Sequence, residues 1–421
     1  MDKRTFIKQF SLLTLTAAPF MESFSQIIKK VEHIPVNDLA SDEDFWASIR
    51  GGYRLKPDYI NLENGWFCIL PQEILEQYIE HVREINYQGS YFMRKMMVDK
   101  KKEIKNKLAQ LADLSPEELI ITRNSTESLD LVIGGLHWKE GDEAIMAEQD
   151  YGAMRDMFRQ VKERYGVVTK TISIPNDPKS DDEIVNLYAN QITPKTKLIM
   201  VSHMINITGH ILPVRKIADM AHSKGVEVLV DGAHAFAHFD FKISELNCDY
   251  YGTSLHKWLS VPLGAGFLYV KKDKIANLWP VFAETEKPME DIARLNHTGT
   301  TPVHVDLAIA NAIEYLNKLG IKRKEARLRY LQNYWTNKVR NNPNVILNTP
   351  SDPQRSCAIA NVGIKNMKTD DMAKQLLDKY KIWTVAINSA TVNGCRVTPN
   401  IYTTPKELDV LVSAINEMAG A

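Results

Sequence analysis

The sequence predicts an α/β protein, with one open, mostly parallel sheet flanked by helices and a smaller α+β domain after it. Three observations predict this. Between Leu119 and Val270, short apolar runs alternate with amphipathic segments. The runs are apolar on both faces, as parallel strands covered by helices must be. After Val303 the alternation stops, and two long helical stretches lead into a separate C-terminal unit. The length of 421 residues agrees, because one core rarely serves more than about 200 residues.

Taken in order, residues 26–66 read as an N-terminal arm contributing to the small domain. Asp42, Glu43 and Asp44 put acid where a helix begins, and Tyr59–Leu62 reads as a short strand. Pro71 to Lys107 is mostly helical. Leu119–Thr122 is a strand followed by a helix over Ser125–Leu136. Ala144–Ala147 is a strand followed by a helix over Ala153–Arg164. Leu198–Val201 is a strand followed by a helix from Val214 to Lys224, closed by Gly225. Val226–Val230, Tyr250–Thr253 and Ala265–Val270 complete the strands. Helices over Val305–Leu319 and Lys322–Arg340 follow. A linker near Val303–Gly320 divides a large domain, 67–303, from a small one, 304–421.

Composition narrows the function. Hydrophobic residues are 44% and charged residues 25%, a soluble globular mix that excludes collagen, coiled coil and wholesale disorder. Lys+Arg and Asp+Glu are both 52, so no basic excess points to nucleic acid. The four cysteines form no CxxC pair, which argues against a zinc ribbon or a disulfide framework. No run of about 18 apolar residues predicts an integral membrane span.

Residues 1–25 read as an address. Lys3, Arg4 and Lys8 precede a nearly uncharged stretch from Phe10 to Phe20, the grammar of a secretory leader. Lys3-Arg4-Thr5-Phe6-Ile7-Lys8 resembles a twin-arginine signal, with Lys3 in place of the first arginine. The resemblance implies export to the periplasm; the competing reading is an amphipathic helix packed on the body of a cytoplasmic protein.

In open α/β sheets, ligands sit beyond the C-terminal strand ends. After the first strand, Ser125, Thr126 and Ser128 open a helix, which is an anion site or a plain cap. After the second comes Tyr151, an aromatic able to stack on a planar ligand. Asp231-Gly232-Ala233-His234 follows the Val226–Val230 strand and offers a carboxylate. Ser254-Leu255-His256-Lys257-Trp258 follows Tyr250–Thr253. There Lys257 lies among Leu255, Trp258, Leu259 and Val261, and a desolvated lysine is a good amine nucleophile. Phosphate site, stacking ring, carboxylate and lysine are the set that pyridoxal 5′-phosphate asks for.

With Val230-Asp231-Gly232-Ala233-His234-Ala235 and Asp249 to Trp258 in place, residues 60–421 resemble the class V aminotransferase group of fold-type I pyridoxal-phosphate enzymes. That group includes cysteine desulfurases and isopenicillin N epimerase-like proteins. The resemblance implies Lys257 as the lysine that carries the cofactor and moves the Cα proton, and Asp231 as the partner of the pyridine nitrogen. It implies His234 and Asn206 near the cofactor O3′, and Tyr151 stacked on the ring. Ser125, Thr126, Ser254 and His256 become phosphate ligands. Thr300, in Gly299-Thr300-Thr301-Pro302, becomes a phosphate ligand sent from a neighbouring subunit, hence a homodimer with shared active sites. Arg396 becomes the grip on the substrate carboxylate, for which a guanidinium suits. Asn64, in Asn64-Gly65-Trp66-Phe67, is a further substrate-facing candidate, as is the Tyr91-Phe92-Met93-Arg94 stretch.

The reaction expected is transamination of an amino acid, with an isopenicillin N epimerase-like epimerase or a β-lyase as the alternative and a non-catalytic cofactor-fold protein behind both. A persulfide route is not expected. The loop before Arg396, Ile387 to Gly394, holds no cysteine, and Cys395 on the same strand points away from Arg396. His234 and His238 are spaced like metal ligands, but the glutamate of a zincin helix is missing, so no metal is expected.

Overall fold

A computed structural model describes residues 17–420. The large domain is built on seven strands: β2 (Leu119–Thr122), β3 (Glu143–Ala147), β4 (Val168–Ile172), β5 (Thr196–Ser202), β6 (Glu227–Asp231), β7 (Tyr250–Ser254) and β8 (Gly266–Val270). They lie in the order β2-β8-β7-β6-β5-β3-β4. β8 alone runs antiparallel to its neighbours, and the rest pair in parallel. Buried strands β3, β5, β6 and β7 carry the apolar runs read in the sequence. β4 was not legible there. It is an edge strand, Val-Thr-Lys-Thr-Ile, whose outer residues meet solvent and carry no apolar run.

The small domain has a four-stranded antiparallel sheet, ordered β12 (Val385–Asn388), β13 (Asn393–Val397), β10 (Ala360–Ile364), β9 (Val345–Leu347). Its core joins Val362, Cys395 and Val397 to Leu331 and Trp335 of the helix Ile321–Val339, and to Leu408 and Leu411 of the helix Pro405–Met418. The arm joins this domain. Its strand β1 (Ile60–Asn61) pairs in parallel with β11 (Ile382–Trp383), and Glu63 bridges to Thr398. Asp42 caps the arm helix Glu43–Arg50 by accepting from Phe45 N at 3.0 Å.

Two boundaries differ from the sequence reading. The stretch read as a linker is the helix Val303–Leu319, packed on helices Gln72–Gln88 and Met97–Ala112. It belongs to the large domain's core, and the chain turns at Gly320, whose φ of +85° favours glycine. The first sixteen residues of the leader lie outside the described residues. From Ala17 to Val31 the chain is a helix with Phe24, Ile28 and Val31 buried. That spacing is one helical face. Phe24, 2% exposed, stacks on Tyr315 at 4.9 Å with the planes 3° apart. The end of the expected leader is therefore part of the core.

Candidate active site

The site forms where β5, β6 and β7 end side by side. Ser202 of β5 is level with Asp231 of β6, and Asp231 with Gly252 of β7. Gly232 lets the chain leave β6 here, because a Cβ on it would sit 2.0 Å from the Tyr251 ring. Asp231 is buried and accepts from Ala233 N at 3.0 Å through Oδ1. Burial pushes its carboxyl up, while the Ala233 N–H and Lys257 pull it back. A buried carboxylate in that state is stabilised by a cationic partner such as a pyridinium N–H.

Lys257 follows β7. Its Nζ lies 2.9 Å from His234 Nε2. Burial brings its ammonium down to about 8, Asp231 opposes this, and Arg396 adds to it. His234 is buried, and burial and then Lys257 hold it well below the usual imidazole range, so the ring is neutral. Nearby, the helix Ser125–Gly135 begins. Asn124 caps it by accepting from Glu127 N at 2.9 Å. Ser254 Oγ accepts from Ser125 N at 2.8 Å and donates to Ser125 Oγ at 3.0 Å. Thr126 follows in the same first turn. Burial, then Lys257, brings His256 down to about 4, and its Nδ1 is buried without a partner among the described residues. A helix N-terminus, two serine hydroxyls and an unsatisfied imidazole nitrogen make a donor set suited to phosphate.

Arg396 reaches the site from β13. It is 7% exposed and forms a two-pronged ion pair with Glu63, itself 7% exposed: Nη2 pairs with Oε1, and Nε donates to Oε2 at 3.2 Å. Arg396 Nη1 donates to the Asn206 carbonyl at 3.2 Å. Gly65 leaves room for this guanidinium, since a Cβ there would lie 2.8 Å from its Cζ. The sequence reading missed Glu63 as the partner; the two are 333 positions apart, and only the pairing of arm and small domain brings them together.

The other candidates are placed as follows. Tyr151 lies beyond β3, at the N-cap of the helix Gly152–Tyr165, 43% exposed. Asn206 meets Arg396 through its backbone. Asn64 is fully buried and spent on structure, donating Nδ2 to Thr398 O at 2.7 Å and accepting from Asn61 Nδ2 at 3.2 Å and from Tyr402 OH. It ties the arm to the small domain and presents no free group to a substrate, because its short amide is satisfied at both ends. Phe92 is buried, while Tyr91 is exposed. Thr300 is exposed on the surface. The four cysteines are buried and unpaired with one another. Burial pushes the thiols of Cys68, Cys357 and Cys395 up to about 12.

The Aminotransferase class-V family profile matches residues 68–411. The chain belongs to the class V aminotransferase family. The isopenicillin N epimerase of Streptomyces clavuligerus is 26% identical over 392 residues, covering 89% of this chain and 98% of that one. An apo cysteine desulfurase from Thermococcus onnurineus NA1 superimposes with a TM-score of 0.79 at 20% identity, covering 90% of this chain and 98% of that one. A C-DES variant with glycine covalently linked to its pyridoxal-phosphate cofactor gives a TM-score of 0.78 at 20% identity, over 86% and 98% of the two chains. The fold is that of fold-type I pyridoxal-phosphate enzymes, and pyridoxal 5′-phosphate is the cofactor of this class V protein. The residues present fit it: Ser125, Ser254 and the open nitrogen of His256 for the phosphate, Asp231 for the ring nitrogen, and Lys257 for the aldehyde carbon.

Proposed function

We propose that this enzyme transaminates an amino acid, with Lys257 as the single group that moves the Cα proton. One observation carries the reading. Lys257 is the amine of the site, brought down to about 8 mainly by burial and set 2.9 Å from a neutral imidazole. Near that value it exchanges a proton readily around neutral pH. The bound cofactor would supply the electron sink for the charge left at Cα. The chain's own residues do the rest. Asp231 keeps the ring nitrogen protonated, the Ser125–Ser254 cradle fixes the phosphate, and Arg396 holds the substrate carboxylate by ion pairing.

Epimerisation is the second reading, favoured by the relative that matches along nearly the whole chain. It asks for an acid or base on each face of Cα. A persulfide route has little support, since each cysteine is buried and a raised thiol is a poor nucleophile. The test is incubation of the loaded enzyme with L- and D-amino acids in heavy water. A 2-oxo acid in step with loss of the amino acid supports transamination. Deuterium at an inverted Cα with no 2-oxo acid establishes epimerisation, and ammonia with an unsaturated or keto product establishes a lyase.

The active unit we propose is a homodimer in which Thr300 of one copy completes the phosphate site of the other. Trp279, Val281 and Met289, large and exposed in the stretch of chain before Thr300, support it as apolar surface for a partner copy to cover. Sedimentation of a monomer at micromolar concentration would refute it. Export through the N-terminal segment is likewise a proposal, tested by finding the protein in a periplasmic fraction.

A further inference from the structure

We propose that Trp258 is a positioning residue, whose indole N–H fixes the tautomer of His234 so that the imidazole donates an Nε2–H hydrogen bond to an unprotonated Lys257. The proposal rests on reading Lys257 as the reactive amine and adds how the chain keeps it so.

The hydrogen-bond chemistry is close to obligatory. An indole nitrogen is only a donor. Trp258 Nε1 points at His234 Nδ1 at 3.4 Å, so Nδ1 must carry the lone pair. A neutral imidazole with a bare Nδ1 has its hydrogen on Nε2. That nitrogen lies 2.9 Å from Lys257 Nζ. An Nε2–H facing an ammonium would set donor against donor. Facing a free amine, it meets a lone pair. The contact is therefore satisfied with Lys257 unprotonated, which is the form that attacks an aldehyde carbon.

Trp258 is itself held. His238 stacks on its ring with centroids 3.6 Å apart and planes at 19°. His238 Nδ1 is 2.7 Å from the His234 carbonyl, which only accepts, so it donates there. The buried Lys324 donates from Nζ to the Trp258 carbonyl. Face and backbone are clamped, and the N–H is left to aim at His234. The charged and titratable groups around the pair are Asp231 from β6, Arg396 from β13, Glu63 and Cys68 from the arm side, and His256 and His238. Removing the Trp258 N–H changes none of these charges.

The test uses the full chain freed of cofactor, so it stands or falls apart from the reaction assigned above. Nitrogen-15 spectra of histidine-labelled protein, with His234→Gln to assign the signal, report the tautomer directly. The expected result is a protonated Nε2 and a bare Nδ1. Competitive acetylation against pH, read by mass spectrometry, then follows Lys257. In Trp258→Phe an aromatic ring is kept and the donor lost, so His234 can turn its lone pair to the lysine. The labelling midpoint should rise by about one pH unit, a roughly tenfold fall in labelling at neutral pH. A protonated Nδ1 in the wild-type protein overturns the proposal even if the variant does not fold. A midpoint unmoved by Trp258→Phe overturns it as well.

Discussion

Glu63→Ala isolates the buried ion pair that occupies Arg396. Both side chains are 7% exposed, and Glu63 accepts from two guanidinium nitrogens. Removing one partner of a buried pair costs about 3–5 kcal/mol, because the other charge is left without compensation. Arg396 keeps its bond to the Asn206 carbonyl at 3.2 Å, which places the cost near the lower end, about 3 kcal/mol. With an unfolding entropy near 2.1 cal/mol/K per residue, a chain of this length loses about 3 °C in melting temperature. An amino-acid carboxylate can then take the vacated place. At one hundred times its Kd it restores about 2.7 kcal/mol, nearly the whole loss. In the wild-type chain the same carboxylate meets a guanidinium already neutralised by Glu63, so the ligand should raise the melting temperature less. The assay is thermal unfolding of cofactor-free protein, wild type and variant, with and without a saturating amino acid. A variant that melts with the wild type would show that Arg396 does not depend on Glu63. A variant that loses stability and is not rescued, while the wild type binds the amino acid, would remove Arg396 from substrate binding.

Ser254→Ala removes the hydroxyl that bridges to Ser125 at 2.8 and 3.0 Å. One lost hydrogen bond of about 1 kcal/mol weakens cofactor affinity about fivefold, read by titrating the visible absorption of the loaded protein; unchanged affinity would move the phosphate elsewhere. Lys324 has its ammonium brought down to about 8 by burial, against 10.5 for an ordinary lysine. The unfolded chain thus binds the extra proton, so stability rises as pH climbs from about 8 to 10.5. Lys324→Met should lack that part of the rise in pH-dependent denaturant melts, and an identical slope would refute it. Phe24→Ala empties a core position stacked on Tyr315, and large-to-small changes of this kind cost about 3–5 kcal/mol. If the helix holding Phe24 is removed with a leader, the mature protein will not register the change, and N-terminal sequencing will show why.

Much of the site was legible because its residues lie next to punctuation the fold must supply. Asp231 and Ser254 close the buried strands β6 and β7, Lys257 follows β7, and an open sheet collects its strand ends at one edge. The apolar runs of β3, β5, β6 and β7 gave the sheet for the same reason, since burial on both faces leaves a pattern in the residues themselves. What stayed hidden depends on contacts that leave no local trace. β4 is half solvated, so its alternation resembles a loop. Asn64 was read as substrate-facing from the resemblance alone, yet Thr398, Asn61 and Tyr402 consume its amide.

Glu63 and Trp258 make the same point at the level of chemistry. Both stand one residue from a position singled out, Asn64 and Lys257; Glu63 went unread, and the polar side of Trp258 did too. Trp258 counted as apolar cover for the lysine. That role is correct for its ring, which is buried and stacked on His238, but it overlooks the one polar atom the ring carries. Buried indoles seek an acceptor for that atom. Here the acceptor is the histidine that touches the lysine, so one side chain both dries the site and orders its protons. Glu63 works the other way. A carboxylate in an arm is an ordinary surface residue until a strand pairing drives it against an arginine from the far end of the chain. Once buried, the pair is neutral, and under the proposed role of Arg396 a substrate carboxylate must share or displace it. If Arg396 takes the substrate carboxylate as proposed, its setting is made by the joint between arm and small domain, held by hydrogen bonds from Asn64 and Thr398, and not by any residue of the motif around Lys257.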